Sequence, residues 1–355
     1  MPIVAHNDLP SFARLQAEGI KILPPDRALA QDIRELHIGL LNMMPDAAFT
    51  ATERQFFRLI AESNPIAQFY IHPFSLPQLT HGEPIQQYID QYYESYQQVK
   101  EQGLDALIIT GVNIQGSELA GQPFWQPLIE VIDWAAEQVT STLCSCLASH
   151  AVLQFRYGQK RQLQADKVWG VFPHTVVDTS HPLVRDVNTC FDVPHSRWNA
   201  VLPAQFAAAN LPVLVASEEV GVHLATSPDG FRFVFFQGHP EYDTISLMKE
   251  YKREVFRFIH GELAEFPPFV NHYFLPKSKA LLREYAQYLH TAMENNTELP
   301  AFPEELLADN LDNTWHDTAE AIVGNWIGLV YQLTNSNRCV PFMQGVDPDD
   351  PLRGL

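Results

Sequence analysis

Val139-Thr140-Ser141-Thr142-Leu143-Cys144-Ser145-Cys146-Leu147-Ala148-Ser149-His150 is the stretch that decides the fold. Its first half is a run of strand-formers, and from Leu147 to Phe155 the pattern becomes helical. Cys146 stands on the turn between them. A thiol there is exposed at the carboxyl edge of a sheet, beside the first free N–H groups of a helix.

Outward from this turn, strand and helix patterns alternate. Leu36-His37-Ile38-Gly39-Leu40-Leu41 reads as a strand, and Thr50-Ala51-Thr52-Glu53 as a helix start with a Thr50/Glu53 capping box. A strand near 67–71 follows, then one amphipathic helix over 85–99, the buried strand Ala106-Leu107-Ile108-Ile109-Thr110, and a helix near 124–137. The alternation predicts a doubly wound, mostly parallel α/β sheet of the flavodoxin-like kind, with its site at the carboxyl ends of the strands. Gly111 and Cys146 both fall there. Residues 1–35 read as an N-terminal arm with one short helix, 36–275 as the main domain, and 276–355 as a C-terminal helical extension completing it. Within the main domain, 165–236 reads as short strands and turns over the site.

A net charge of −19 opposes general binding to nucleic acid, because the phosphate backbone would be repelled. The apolar runs are far short of a membrane span, and the N-terminus lacks a charged-then-apolar signal pattern, so a cytoplasmic location is expected. The four cysteines are too few and scattered for a disulfide scaffold, and none has metal-ligand spacing. No metal and no bound cofactor are expected.

The second chemical cluster is Gln237-Gly238-His239-Pro240-Glu241-Tyr242-Asp243, directly after the strand-like Phe231–Phe236 run. His239 and Glu241 alternate onto one face of an extended chain, a base and the carboxylate that orients it. With Cys146 they read as a Cys–His–Glu acyl-transfer site. Two rivals exist: Cys144, which precedes the turn and reads as structural, and His150, one helical turn after Cys146 but without an evident carboxylate.

Leu41-Asn42-Met43-Met44-Pro45, Thr140-Ser141-Thr142-Leu143 with Cys146, Pro194-His195-Ser196-Arg197, Gly238-His239-Pro240-Glu241-Tyr242-Asp243 and Gly324-Asn325-Trp326 recur in order from about residue 1 to 335. Together they resemble the homoserine O-succinyltransferase family, which shares the class I glutamine amidotransferase-like fold. The resemblance implies an acyl-CoA:L-homoserine O-acyltransferase of methionine biosynthesis, acting as a homodimer with succinyl-CoA or acetyl-CoA as co-substrate. It makes Cys146 the acyl-carrying nucleophile, His239 the general base and Glu241 its partner. It puts substrate contacts on Lys167, Ser196 and Arg253, and acyl selection on Gln115. Backbone N–H groups at Leu147, Gly111 and Val112 would hold the oxyanion, at about 3 kcal/mol per donor.

The chain departs from that family in places. Gln115 is neither the glycine that accompanies succinyl nor the glutamate that accompanies acetyl; its neutral amide could donate to a succinyl carboxylate, which favours succinyl, while its length beyond glycine takes space, which favours acetyl, so succinyl is expected with homoserine O-acetyltransferase as the alternative. Gly111-Val112-Asn113 lacks the usual proline, His150 stands where glutamine is commoner, and 277–310 looks like a helical insertion. Three alternatives stay open. A glutamine amidohydrolase would use the same triad, but Cys144 and Ala148 replace the glycines of its Gly-x-Cys-x-Gly elbow. A non-catalytic binding protein would not need all three residues. Serine as acceptor differs by one methylene, a selection worth about 1–3 kcal/mol.

Overall fold

The computed structural model describes residues 3–64, 66–112, 114 and 116–355. Its strands in chain order are β1 (Ile3–Val4), β2 (Ile22–Leu23), β3 (Glu35–Leu41), β4 (Gln68–Phe74), β5 (Ala106–Ile109), β6 (Ser141–Ser145), β7 (Gln162–Val176), β8 (Cys190–Ala200), β9 (Val213–Ser217), β10 (Gly221–Thr226) and β11 (Phe233–Phe236). They lie in one sheet, ordered β2-β1-β4-β3-β5-β6-β11-β10-β9-β7-β8. From β2 to β11 each neighbouring pair is parallel. From β11 to β8 each is antiparallel. The predicted doubly wound α/β sheet is therefore present. The 165–236 hairpins extend it rather than forming a separate lid.

Strand periodicity sorts the core into two faces. Ile38, Leu40, Ile108, Leu143 and Phe236 point to one, where the helices Phe49–Ser63 and His316–Leu333 cover them with Phe56, Phe57 and Trp326. Leu107, Ile109, Cys144 and Phe235 point to the other, under Trp125–Gln138 and Leu147–Tyr157. Each such large side chain, taken from water, contributes roughly 1.5–3 kcal/mol. A third cluster packs Trp169 and Tyr251 against Leu282, Tyr285 and Trp315. It ties the helix Pro276–Asn295 to Ser246–Ile259, while His316–Leu333 packs in the first cluster. Among the described residues no helix is long and apolar enough to cross a membrane.

Three local expectations change. Residues before 35 supply two helices, Pro10–Ala17 and Pro25–Leu29, and the sheet-edge strands β1 and β2; two-residue strands are too short to show a period. The Thr50/Glu53 capping box does not form. That helix starts at Phe49 without a side-chain cap, and Glu53 is buried, accepting from Ser11 Oγ, Tyr88 (3.1 Å) and Tyr93 (2.7 Å). The helix expected over 85–99 is two, Glu83–Tyr92 and Tyr96–Gln102, the second opened by a Ser95/Gln98 capping box.

Candidate active site

Cys146 follows β6 with φ 49° and ψ −106°, left-handed backbone in a non-glycine residue. Such a conformation costs on the order of 1–3 kcal/mol and persists where the surroundings enforce it. Here the enforcement is local. The Cys146 N–H donates to Phe236 O at 2.7 Å, and Ser149 Oγ, one turn into the helix, donates to Cys144 O (2.7 Å) and Phe236 O (2.9 Å). Leu147 is the first helical residue, so its N–H has no acceptor inside the helix. Gly111 packs against this turn: a Cβ built on it would lie 3.6 Å from Cys146 Cβ and 3.7 Å from Leu147 N. The sequence-predicted oxyanion groups at Leu147 and Gly111 are thus brought together.

β11 lies parallel and in register beside β6, with Phe236 opposite Ser145, so the chain leaving each strand meets the other. His239 arrives by that route. Its Nδ1 lies 2.8 Å from Glu241 Oε1, and both residues are buried. Burial opposes a charge on the ring, but Glu241 and the adjoining Cys146 thiol outweigh it, and His239 holds its proton well above the usual histidine range. Tyr242 stacks on the imidazole, ring centres 4.3 Å apart and planes 17° from parallel. Gly238 is required by packing, since a Cβ there would stand 2.5 Å from Val193 Cγ1 and 2.9 Å from the His195 ring. The His239 N–H is fixed in turn by Pro194 O at 2.8 Å.

Glu250, on the helix after this turn, was missed by sequence reading. Its carboxylate accepts from Ser196 Oγ (2.6 Å) and Tyr242 OH (2.7 Å), and pairs with Lys167 Nζ (3.3 Å). Burial pushes the Glu250 carboxyl up, but Lys167 and the two hydroxyls outweigh it and leave it below the usual range. Burial pulls the Lys167 ammonium down, against the pull of Glu250. Lys167 also sits 4.2 Å over the Trp169 ring. β7 and β8 pair so that Trp169 faces Ser196, which delivers Lys167 and Ser196 to one place. Arg253 lies three residues beyond Glu250, half-exposed, 3.8 Å from Glu254 and close enough for its charge to act on Glu250. Glu250 carries no motif of its own. Its signal was its position on the helix bearing Arg253.

The rivals take other places. Cys144 is fully buried, and burial raises its thiol far above the ordinary range. His150 is buried on Gln237 Oε1 at 3.0 Å, its Nδ1 unpartnered; burial lowers it to about 3, so it is a poor base. Gln115 and Asn113 lie outside the described residues. Behind His239, the buried rings of His174, His195 and His223 pack together, with His195 Nε2 3.2 Å from His174 Nε2. Elsewhere, His6, His72 and Glu94 bring ligand-type atoms within 4.8 Å of one another, and Glu62, His316 and Glu320 do the same.

Cys146, His239 and Glu241 thus lie together next to the cluster of Glu250, Lys167, Ser196 and Tyr242. The model of the family "Homoserine O-succinyltransferase" matches residues 2–336. The chain is 63% identical over 352 residues to the homoserine O-succinyltransferase of Allochromatium vinosum, covering 99% of each. It is 60% identical to that of Nitrosococcus oceani, covering 99% of this chain and 98% of the other. Among solved structures, a glutamine amidotransferase from Thermotoga maritima aligns over 84% of this chain and 98% of its own, with 12% identity and a TM-score of 0.46. By the extent of the family match and of the identity, the chain belongs to the homoserine O-succinyltransferase family.

Proposed function

We propose that the protein transfers a succinyl group from succinyl-CoA to the hydroxyl of L-homoserine, through a thioester on Cys146. The observation that carries this is the Cys146–His239–Glu241 alignment beside Glu250, which Lys167, Ser196 and Tyr242 surround. The Cys146 thiol gives its proton to His239 and its sulfur attacks the thioester carbonyl, the oxyanion lying against the N–H groups of Leu147, Gly111 and Val112. The carbon–sulfur bond to coenzyme A breaks, and His239 gives its proton to the departing thiolate. Homoserine then enters. His239 takes the hydroxyl proton, the oxygen attacks the Cys146 thioester, the acyl–sulfur bond breaks, and His239 returns the proton to the sulfur as the ester leaves.

A zwitterionic acceptor needs an anion for its ammonium and cations for its carboxylate. Glu250 supplies the first, Lys167 and Arg253 the second, and Ser196 fixes the Glu250 carboxylate. In this reading no cofactor is held and acyl-CoA is a co-substrate. A homodimer and a cytoplasmic location, in methionine biosynthesis, are carried by the family alone.

The test is a steady-state assay of coenzyme A release with succinyl-CoA or acetyl-CoA as donor and L-homoserine or L-serine as acceptor. Parallel-line ping-pong kinetics, with succinyl-CoA and homoserine giving the highest kcat/KM, are expected. Coenzyme A release that ignores the acceptor, or ammonia release from glutamine, would overturn the reading.

A further inference from the structure

His6 follows β1, His72 stands on β4, and Glu94 lies between the helices Glu83–Tyr92 and Tyr96–Gln102. Each brings a ligand-type atom within 4.8 Å of the other two. His72 is buried, and His6 and Glu94 are half-buried. The Glu94 N–H donates to Pro73 O at 2.9 Å, which anchors its loop to the end of β4. Three segments far apart in sequence thus meet near the sheet edge, and none of them carries a residue of the acyl-transfer site. Cysteine spacing, which spoke against a metal, says nothing about two imidazoles and a carboxylate.

The hydrogen bonds around this point are one donor short. His72 Nδ1 lies 2.6 Å from Glu94 Oε1, His72 Nε2 lies 2.8 Å from His37 Nδ1, and His37 Nε2 lies 3.1 Å from Glu35 Oε1. Each of these three contacts needs an N–H, because a carboxylate only accepts, and two neutral imidazoles supply two. Glu94 Oε2 is also buried, with no hydrogen-bond partner among the described residues. A cation at the Glu94 end settles both counts. The His72 Nδ1 lone pair then faces the ion, its Nε2–H donates to His37 Nδ1, and the His37 Nε2–H donates to Glu35. His6 is set in the same way. Its Nδ1 lies 3.1 Å from Val4 O, so Nδ1 carries the proton and Nε2 the lone pair, with Asn7 Nδ2 3.5 Å away. Histidines that ligate metals give their other N–H to a backbone carbonyl or a carboxylate in this manner.

We propose that His6 Nε2, His72 Nδ1 and the Glu94 carboxylate hold one divalent transition-metal ion, zinc being the best fit, which fastens the N-terminal strand to β4. Imidazole and carboxylate donors suit zinc, and a water completes the four positions. Tetrahedral zinc with bonds of about 2.1 Å sets its ligands about 3.4 Å apart. His72 and Glu94 therefore open slightly from 2.6 Å, and any pair nearer 4.8 Å closes. The strand has need of a fastening: β1 is two residues long and meets β4 at Ile3 and Phe69. The other cluster, Glu62, His316 and Glu320, is built differently. Both carboxylates lie on the same ring nitrogen, His316 Nε2, at 3.4 and 3.1 Å, and all three side chains are partly exposed, which is the pattern of a surface ion pair.

The experiment strips the full-length protein with a chelator, equilibrates it with zinc chloride, and measures zinc per chain by elemental mass spectrometry and affinity by competition with a chromogenic chelator. One zinc per chain is expected in the wild type, in Cys146→Ala and in His316→Gln. Affinity should fall at least about 100-fold in His6→Gln and Glu94→Gln, since an outer partner alone is worth about 10–100-fold. Circular dichroism of these two variants, matched to the wild type, separates a lost ligand from a lost fold. Cobalt in place of zinc should give ligand-field bands without a thiolate charge-transfer band, and zinc should raise the urea midpoint of the wild type but not of His6→Gln. No zinc retained by the wild type would leave a row of hydrogen bonds only and overturn the proposal. Zinc held equally by the wild type and His6→Gln, or lost in His316→Gln, would place the ion elsewhere and overturn it too.

Discussion

The N–H of Cys146 donates to the carbonyl of Phe236 at 2.7 Å, which binds the end of β6 to the end of β11. The residue after Phe236 starts the turn that carries His239 and Glu241, so this backbone bond helps bring Cys146 and His239 side by side. The strained φ of Cys146 is held by the same contact. The site thus depends on strand register more than on any loop.

Glu241→Gln keeps the size of the side chain but removes the charge that sustains the His239 imidazolium. A fall in kcat of about 100-fold or more, with a much smaller change in KM for succinyl-CoA, is expected from steady-state kinetics. A change confined to KM would place Glu241 in donor binding instead.

Glu250→Gln removes the anion assigned to the homoserine ammonium. KM for homoserine should rise at least about 10-fold while the thioester on Cys146 still forms. Rapid-quench measurement of the two half-reactions separates these effects. Loss of thioester formation with homoserine binding intact would contradict the assignment.

Gly238→Ala places a Cβ 2.5 Å from Val193 Cγ1. Overpacking of this kind costs about 1–3 kcal/mol, read as a lower midpoint in urea. Val193→Ala in the same chain should recover part of that loss. No recovery would locate the strain at the His195 ring.

His150 and His174 are held neutral by burial, at about 3 and about 4, and His195 and His223 lie well below the usual range. Below about pH 6.5 the unfolded chain binds protons that the folded chain refuses. Stability then falls by about 1.4 kcal/mol per histidine per pH unit, down to each folded value. His239, raised by Glu241 and Cys146, acts in the opposite sense, its stabilisation being lost as pH rises through its folded value. The buried four outnumber it, so the urea midpoint should drop between pH 7 and pH 5. A midpoint that is flat or rises over that interval would mean these rings are protonated in the fold.

Strand periodicity made β3, β5 and β6 legible, and the strand-to-helix switch placed Cys146 at the sheet edge. Glu241 was legible because its two-residue spacing from His239 forces both side chains to one side. Glu250 was not, because a carboxylate on a surface-patterned helix looks like solvent-facing charge until β7 and β8 bring Lys167 and Ser196 to it. The capping-box motif at Thr50 misled because Glu53 was claimed by Ser11, Tyr88 and Tyr93, contacts between distant segments.

Intact-mass spectrometry of the protein after incubation with succinyl-CoA, without acceptor, tests the central claim most directly. A single succinyl adduct, located at Cys146, lost on adding L-homoserine and absent from Cys146→Ala, is predicted. No adduct on folded protein, or one that survives homoserine or forms in Cys146→Ala, would contradict transfer through this thiol.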